Sequence, residues 1–199
     1  MNFDPRPFLL EGRHVRLEPL EERHRAPLLA AAQQPPDVFQ WFLTDSLAKP
    51  EAFHPWFDDG LRHSAAGTEV AWAIVRRRDG KLVGSTRYLD IRRAHRALEI
   101  GNTWHAREAQ RTAINTEAKY LLLRHAFEAL GAVRVQLKTD ERNEASRRAI
   151  ARLGAQFEGI LRRYQTRFDG YVRNTAMFAL TAEDWPAARA RLEAMLAAR

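Results

Sequence analysis

Three consecutive segments, residues 70–76, 82–90 and 97–104, are rich in Val, Ile, Tyr and Trp and are separated only by Asp79-Gly80 and by the basic turn at residues 92–96. That pattern predicts an antiparallel meander. The C-terminal half narrows the fold further. A long helical pattern ends at Gly131, a strand pattern occupies residues 134–139, and a crossover of that length suits a parallel strand-helix-strand unit. A capped helix is expected over 144–153, stopped by Gly154, then a closing strand pair over 156–163 and 173–180 around Phe168-Asp-Gly170, then an amphipathic tail helix over 183–196. Before the meander lie a strand at 14–18, a helix at 21–32 stopped by Pro35-Pro36, and a helix opened by Pro50 that runs to about Ala66. No repeat or linker interrupts the alternation, so residues 1–199 read as one mixed α/β (α+β) domain.

At 199 residues the chain is long enough for one substantial core. Cysteine is absent, which excludes thiol nucleophiles, disulfides and cysteine-bound zinc. The seven histidines show no metal-ligand spacing, so no metal is expected. No apolar run approaches the ~20 residues needed to cross a bilayer, and residues 1–7 lack a signal-peptide core. The expectation is a soluble cytoplasmic protein without a membrane partner. The net charge of +7, from 28 arginines and four lysines against 25 acids, favours anionic partners such as phosphates or RNA. Outside 76–78, 92–93, 147–148 and 162–163 the arginines are scattered, as on a solvated surface.

Two segments carry chemistry. Residues 107–116 and 139–146 each place a polar or basic loop directly before a helix, whose unpaired N–H groups and positive dipole end suit phosphate. Asn115 and Thr116 are good N-caps for the first helix, with Glu117 favourable to its dipole, and Asn143 is a good N-cap for the second. Together the loops suit an elongated, phosphate-bearing ligand. In the third meander strand Gly101 predicts a bulge or a close backbone approach. Glu99 shares a sheet face with Gly101 and is either a general base or a cross-strand partner for an arginine such as Arg87. Ser146 lies about 40° from Ile150 around its helix, so its hydroxyl either bonds the helix start or faces a ligand. Trp41, Phe42, Trp56 and Phe57 either line a substrate pocket or pack helices onto the sheet.

The order of elements, with Glu99-Ile-Gly-Asn-Thr-Trp104, Gln110-Arg-Thr-Ala-Ile-Asn-Thr-Glu-Ala-Lys119 and Asn143-Glu-Ala-Ser-Arg-Arg-Ala-Ile-Ala-Arg-Leu-Gly154, resembles the GNAT superfamily of N-acetyltransferases. The likeness runs from Leu10 to about Trp185 and is strongest to the branch of the ribosomal-protein N-terminal alanine and serine acetyltransferases. It implies a mixed, mostly antiparallel twisted sheet of about seven strands, flanked by helices and splayed near the fourth strand. It also implies acetyl-CoA as cosubstrate and direct transfer to a primary amine: a protein N-terminus, a small amine or an aminoacyl-nucleotide. By resemblance, Gln110, Arg111, Thr112, Ala113, Ile114, Asn115 and Thr116 wrap the pyrophosphate. Asn143 contacts the pantetheine arm, the N–H groups of Thr103 and Trp104 bind its carbonyls and the acetyl oxygen, and Ser146 protonates the departing thiolate. Glu99, from its place on the strand, would take the amine proton.

The family motif has glycine where this chain has Ala113 and Asn115, and an L-residue in left-handed geometry costs roughly 1–2 kcal/mol. Either the loop forms its anion nest without positive φ at Ala113, or cofactor affinity is weakened. Arg107 and Arg111 then either pair with phosphate or serve as surface charge, and Lys119 reaches either a phosphate or solvent. Ribosomal association and a monomeric or homodimeric state are the partner expectations. The alternative function is a GNAT-fold ribosome- or RNA-binding module with weakened or lost catalysis.

Overall fold

A computed structural model describes residues 3–34 and 36–198. Eight strands form one sheet: β1 (Leu10–Glu11), β2 (Val15–Pro19), β3 (Val70–Arg76), β4 (Leu82–Arg92), β5 (Ala97–His105), β6 (Arg134–Asp140), β7 (Gln156–Thr166) and β8 (Val172–Thr181). Their spatial order is β1-β2-β3-β4-β5-β6-β8-β7, and every neighbouring pair is antiparallel except β5 and β6. Seven of these are the expected strands, and the eighth is the two-residue β1. The predicted strand-helix-strand unit is β5, the helix α3 (Ala113–Arg124) and β6. Four other α-helices complete the fold among the described residues: α1 (Arg25–Ala32), α2 (Pro50–Ala66), α4 (Glu144–Arg152) and α5 (Trp185–Ala197). Pro35, read with Pro36 as the stop of α1, lies outside the described residues.

The two sheet faces differ in side-chain size, and that sets which helices pack where. On β3, Val70, Trp72 and Ile74 enter one core cluster with Leu121 and Leu122 of α3 and Trp185 and Leu192 of α5. Ala71 and Ala73 point the other way, and their short side chains leave room for Phe53, Trp56 and Phe57 of α2. Each fully enclosed leucine or phenylalanine here contributes about 1.5–3 kcal/mol through apolar burial. Helix α3 ends in one wider π-helical turn, His125–Ala129, and Gly131 then takes the left-handed φ of 69° expected of it.

Two local features tie β2 and β4 to their neighbours. Glu117, expected only to favour the helix dipole, instead accepts the backbone N–H groups of Arg13, His14 and Val15 at 2.6–2.8 Å and ties the turn before β2 to the helix. Gly84 sits where β3 and β4 shift register, and a Cβ there would lie 2.1 Å from the Trp104 carbonyl oxygen. Only glycine permits that approach of β4 to β5.

Candidate active site

β5 and β6 pair for only three residues, Ala97↔Arg134, Leu98↔Val135 and Glu99↔Gln136. Beyond them the strands part. The cause is a bulge in β5: Ser85 faces Trp104 and Arg87 faces Gly101, so Asn102 and Thr103 together oppose Thr86. Asn102 takes a left-handed φ of 50°, which asparagine tolerates better than most residues, and its Oδ1 accepts the Trp56 indole N–H at 3.0 Å. The expected bulge therefore begins one residue after Gly101. At Gly101 itself a Cβ would stand 2.8 Å from the Glu99 carboxylate, so the missing side chain lets that carboxylate fold over the strand. A cavity of about 450 Å³ opens through the gap and is walled from both faces of the sheet.

On one face the wall is made by α3 and α4. The N-cap of α3 is Thr112, whose Oγ1 accepts the Ile114 N–H at 3.3 Å, so the helix starts three residues before the expected caps Asn115 and Thr116. Both lie within the helix. The left-handed residue of the loop is Arg111, φ 58°, while Ala113 and Asn115 are helical and unstrained. The loop thus makes its turn without positive φ at either position where glycine is missing. Asn115 lines the cavity and bonds the His105 ring nitrogen at 3.0 Å, Thr116 is buried, and Gln110 donates to the His105 carbonyl at 3.2 Å. A second groove, with Arg13, Arg76, Arg77, Arg78 and Glu108 on its wall, runs beside Thr112, Ala113 and Ile114; Arg76 is paired with Asp79 and Glu108, and Arg77 with Glu11, so the basic excess there adds only in part to the positive helix start.

Helix α4 supplies the other half of that wall. Asn143 caps it as expected, its Oδ1 accepting the Ser146 N–H at 3.0 Å. With the Ser146 amide satisfied by Asn143, the serine side chain joins Ile150 and Leu153 in lining the cavity.

The opposite face is charged and aromatic. Glu99 is 2% exposed and accepts Lys138 Nζ at 2.7 Å and Gln136 Nε2 at 3.2 Å. Its cation is therefore Lys138, on the neighbouring strand; Arg87 pairs instead with Glu69 at 3.0 Å and donates to the Trp56 carbonyl. Trp41, Phe42 and Trp56 line this mouth. Phe57 does not. It is fully enclosed between α2 and the sheet under Arg25, because one helical step past Trp56 points into the core rather than toward the gap. Trp104 also packs its side chain inside, against Phe39 and Trp56, leaving its backbone as the part near the bulge. The tip of the β7-β8 hairpin borders the mouth, with the Phe168 N–H donating to the Leu43 carbonyl at 2.8 Å.

Residues 14–156 match the family model described as the acetyltransferase (GNAT) domain. This chain belongs to the GNAT acetyltransferase family. Among solved structures it is similar to a GCN5-related N-acetyltransferase from Brucella melitensis, at 32% identity and TM-score 0.89, over 97% of this chain and 87% of that one. It is also similar to Mycobacterium smegmatis RimJ, solved in complex with CoA-disulfide, at 25% identity and TM-score 0.79, over 98% of this chain and 96% of that one. The uncharacterized N-acetyltransferase YoaA of Bacillus subtilis (strain 168) is 33% identical over 95 residues, which are 48% of this chain and about half, 53%, of YoaA.

Within this cavity the structure gives Lys119 a different setting from the one expected and adds residues that sequence reasoning missed. Lys119, expected at a phosphate or in solvent, is 6% exposed and points into the sheet gap, where Nζ donates to Thr103 Oγ1 at 2.7 Å. Burial pulls its pKa down to about 7, against the opposing pull of Glu99. Thr103 in turn donates to the Gly101 carbonyl at 3.2 Å, so Lys119 props the bulge from below. Desolvation likewise takes His105 down to about 4, leaving a neutral ring beside Asn115. The available signal was spacing: Lys119 follows Asn115 by four residues and shares its helix face. Lys138 and Arg173, also on the cavity wall, had no sequence signal beyond lying in predicted strands.

Proposed function

We propose that this GNAT protein transfers acetyl from acetyl-CoA directly to a primary amine, and that the two substrates enter the cavity from opposite faces of the sheet. The observation that carries this reading is the through-sheet gap where β5 and β6 part beyond Glu99 and Gln136. The donor set fits the cosubstrate. The strand edges that face each other across the gap are no longer paired to one another, so their N–H and C=O groups suit the amides of a pantetheine arm. The positive start of α3, capped at Thr112, suits a diphosphate and needs no glycine because Arg111 supplies the turn.

Acetyl-CoA supplies an activated acetyl group. Asn143 would hold its arm through the side-chain amide, and the N–H groups of Thr103 and Trp104 would polarise the acetyl carbonyl, where preorganised donors act most strongly as charge develops. Glu99 would take the proton of the incoming ammonium directly or through one water, with Lys138 and Gln136 holding its carboxylate over Gly101. Ser146, across the cavity, would return a proton to the departing sulfur. Trp41, Phe42 and Trp56 would exclude water at the acceptor mouth.

Calorimetry with acetyl-CoA, followed by incubation with a panel of amines read by mass spectrometry, tests the proposal. Binding, together with a mass gain of one acetyl group on an amine, supports it; no heat at millimolar cosubstrate removes it. An RNA-binding role is less well supported, because arginines such as Arg25, Arg134 and Arg142 are held in ion pairs with carboxylates of their own chain at 2.5–3.0 Å.

A further inference from the structure

Among the described residues three arginines are buried, and they are not alike. Arg87, 2% exposed, pairs with Glu69 at 3.0 Å, and Arg76, 4% exposed, pairs with Asp79 at 2.6 Å and Glu108 at 3.1 Å. Arg173 on β8 is 6% exposed and lines the active-site cavity, yet among the described residues no carboxylate lies within ion-pair distance of it. Its bonds go to neutral oxygens: Nε donates to Thr175 Oγ1 at 3.0 Å and Nη2 to Gln165 Oε1 at 2.8 Å. A guanidinium has five N–H donors and does not deprotonate, so three donors and a full charge remain for another partner.

The neighbouring carboxylates are engaged elsewhere. Asp140 forms a two-pronged pair with Arg142 at 3.0 Å, and Glu99 is held by Lys138 at 2.7 Å. Burial works against the arginine cation and outweighs the distant pull of Asp140 and Glu99, with Arg167 adding repulsion. The charges on the cavity wall therefore leave a surplus. Glu99 and Lys138 cancel, Lys119 belongs to the bulge, and among the described residues Arg173 has no carboxylate paired with it directly. A desolvated cation is costly unless an anion meets it, and a planar guanidinium fork matches the two oxygens of a carboxylate or phosphate. Register places Arg173 on the acceptor side: it is two residues from Thr175, which faces Asp140 across the β6-β8 pair, and Lys138 and Gln136 follow on that face of β6.

We propose that the acceptor is a small primary amine that also carries an oxyanion, carboxylate or phosphate, and that Arg173 with Gln165 binds that oxyanion while the amine faces Glu99. This inference rests on the acetyl-transfer reading above and specifies its second substrate. A neutral amine would leave the buried guanidinium facing an apolar or uncharged group, so the site discriminates against it.

The test compares matched amines in the intact protein: amino acids against their amides, and amino-alcohol phosphates against the free amino alcohols. The expected wild-type result is a preference of about 100-fold in kcat/KM for the anionic member of a pair, expressed mainly in KM. Arg173→Gln abolishes that preference and Arg173→Lys restores part of it; the stronger arm, carboxylate or phosphate, identifies the oxyanion. Equal kcat/KM for both members in the wild type, or a preference that survives Arg173→Gln, overturns the inference. Thermal shift with an N-acetyl amino acid and an N-acetyl amino-alcohol phosphate gives a readout without turnover. Arg173-dependent stabilisation with no acetyl transfer to any amine retains the anion site and removes the transferase reading; transfer without that stabilisation or preference does the reverse. Should Arg173→Gln fail to fold, the wild-type comparison of matched amines decides alone.

Discussion

The two walls of the cavity are built from different materials. On the α3-α4 side the polar groups are neutral or held neutral: Asn115, Asn143, Ser146, and His105 with its pKa near 4. On the far side the groups are ions, Glu99, Lys138 and Arg173, under a rim of aromatic rings. A neutral amide-rich arm suits the first and a charged amine the second, because a desolvated ion demands an opposite charge whereas a buried amide demands only a hydrogen bond. The contrast teaches that the sheet gap separates two chemistries. Lys119 is the exception that tests the rule, an ionisable group lodged in the middle, brought near neutrality by burial.

Substitutions on each side should break this contrast in different measurements. The largest effect is expected for Glu99→Gln, which keeps the shape but removes the proposed proton acceptor and leaves Lys138 unpaired: kcat/KM should fall about 10³-fold with acetyl-CoA affinity retained. Activity within a few fold of wild type would transfer the base to water. On the neutral side, Ser146→Ala should lower kcat about 10²-fold with little change in calorimetric affinity for acetyl-CoA; unchanged turnover would remove Ser146 from the chemistry.

Lys119 yields a prediction in stability. Its folded pKa of about 7 lies below its ordinary 10.5, so between those values the unfolded chain binds more protons and stability rises with pH. The contribution should approach a slope of about 1.4 kcal/mol per pH unit above neutrality and be absent below it. Urea midpoints measured from pH ~7 to ~9 should climb in the wild type and flatten in Lys119→Met; parallel curves would show that this lysine keeps its proton. The smallest effect is expected at the helix start, where Thr112→Ala should cost about 1 kcal/mol of stability and weaken acetyl-CoA binding modestly. Denaturation combined with calorimetry separates those two losses.

What was legible in the sequence was local. The start of α4 at Asn143 was read correctly because a cap and its helix lie within four residues, and Pro50 and Gly131 marked boundaries that the structure keeps. The start of α3 was misplaced because Thr112 competed with two equally good caps, and because a non-glycine residue, Arg111, takes the left-handed turn that glycine would ordinarily announce. Phe57 and Trp56 are adjacent and chemically similar, and only the helix rotation against β3 sends one to the core and the other to the cavity.

The amino-acid sequence by itself determined the succession of elements, the parallel crossover and the glycine beside the bulge, since periodicity, caps and backbone freedom act over a few residues. The tertiary structure alone decided that β5 and β6 part after three pairs, that Glu99 answers Lys138 rather than Arg87, and that Lys119 and Arg173 face the gap. Those outcomes depend on strand register between segments separated by the whole crossover, where no local pattern carries information about which side chains will meet.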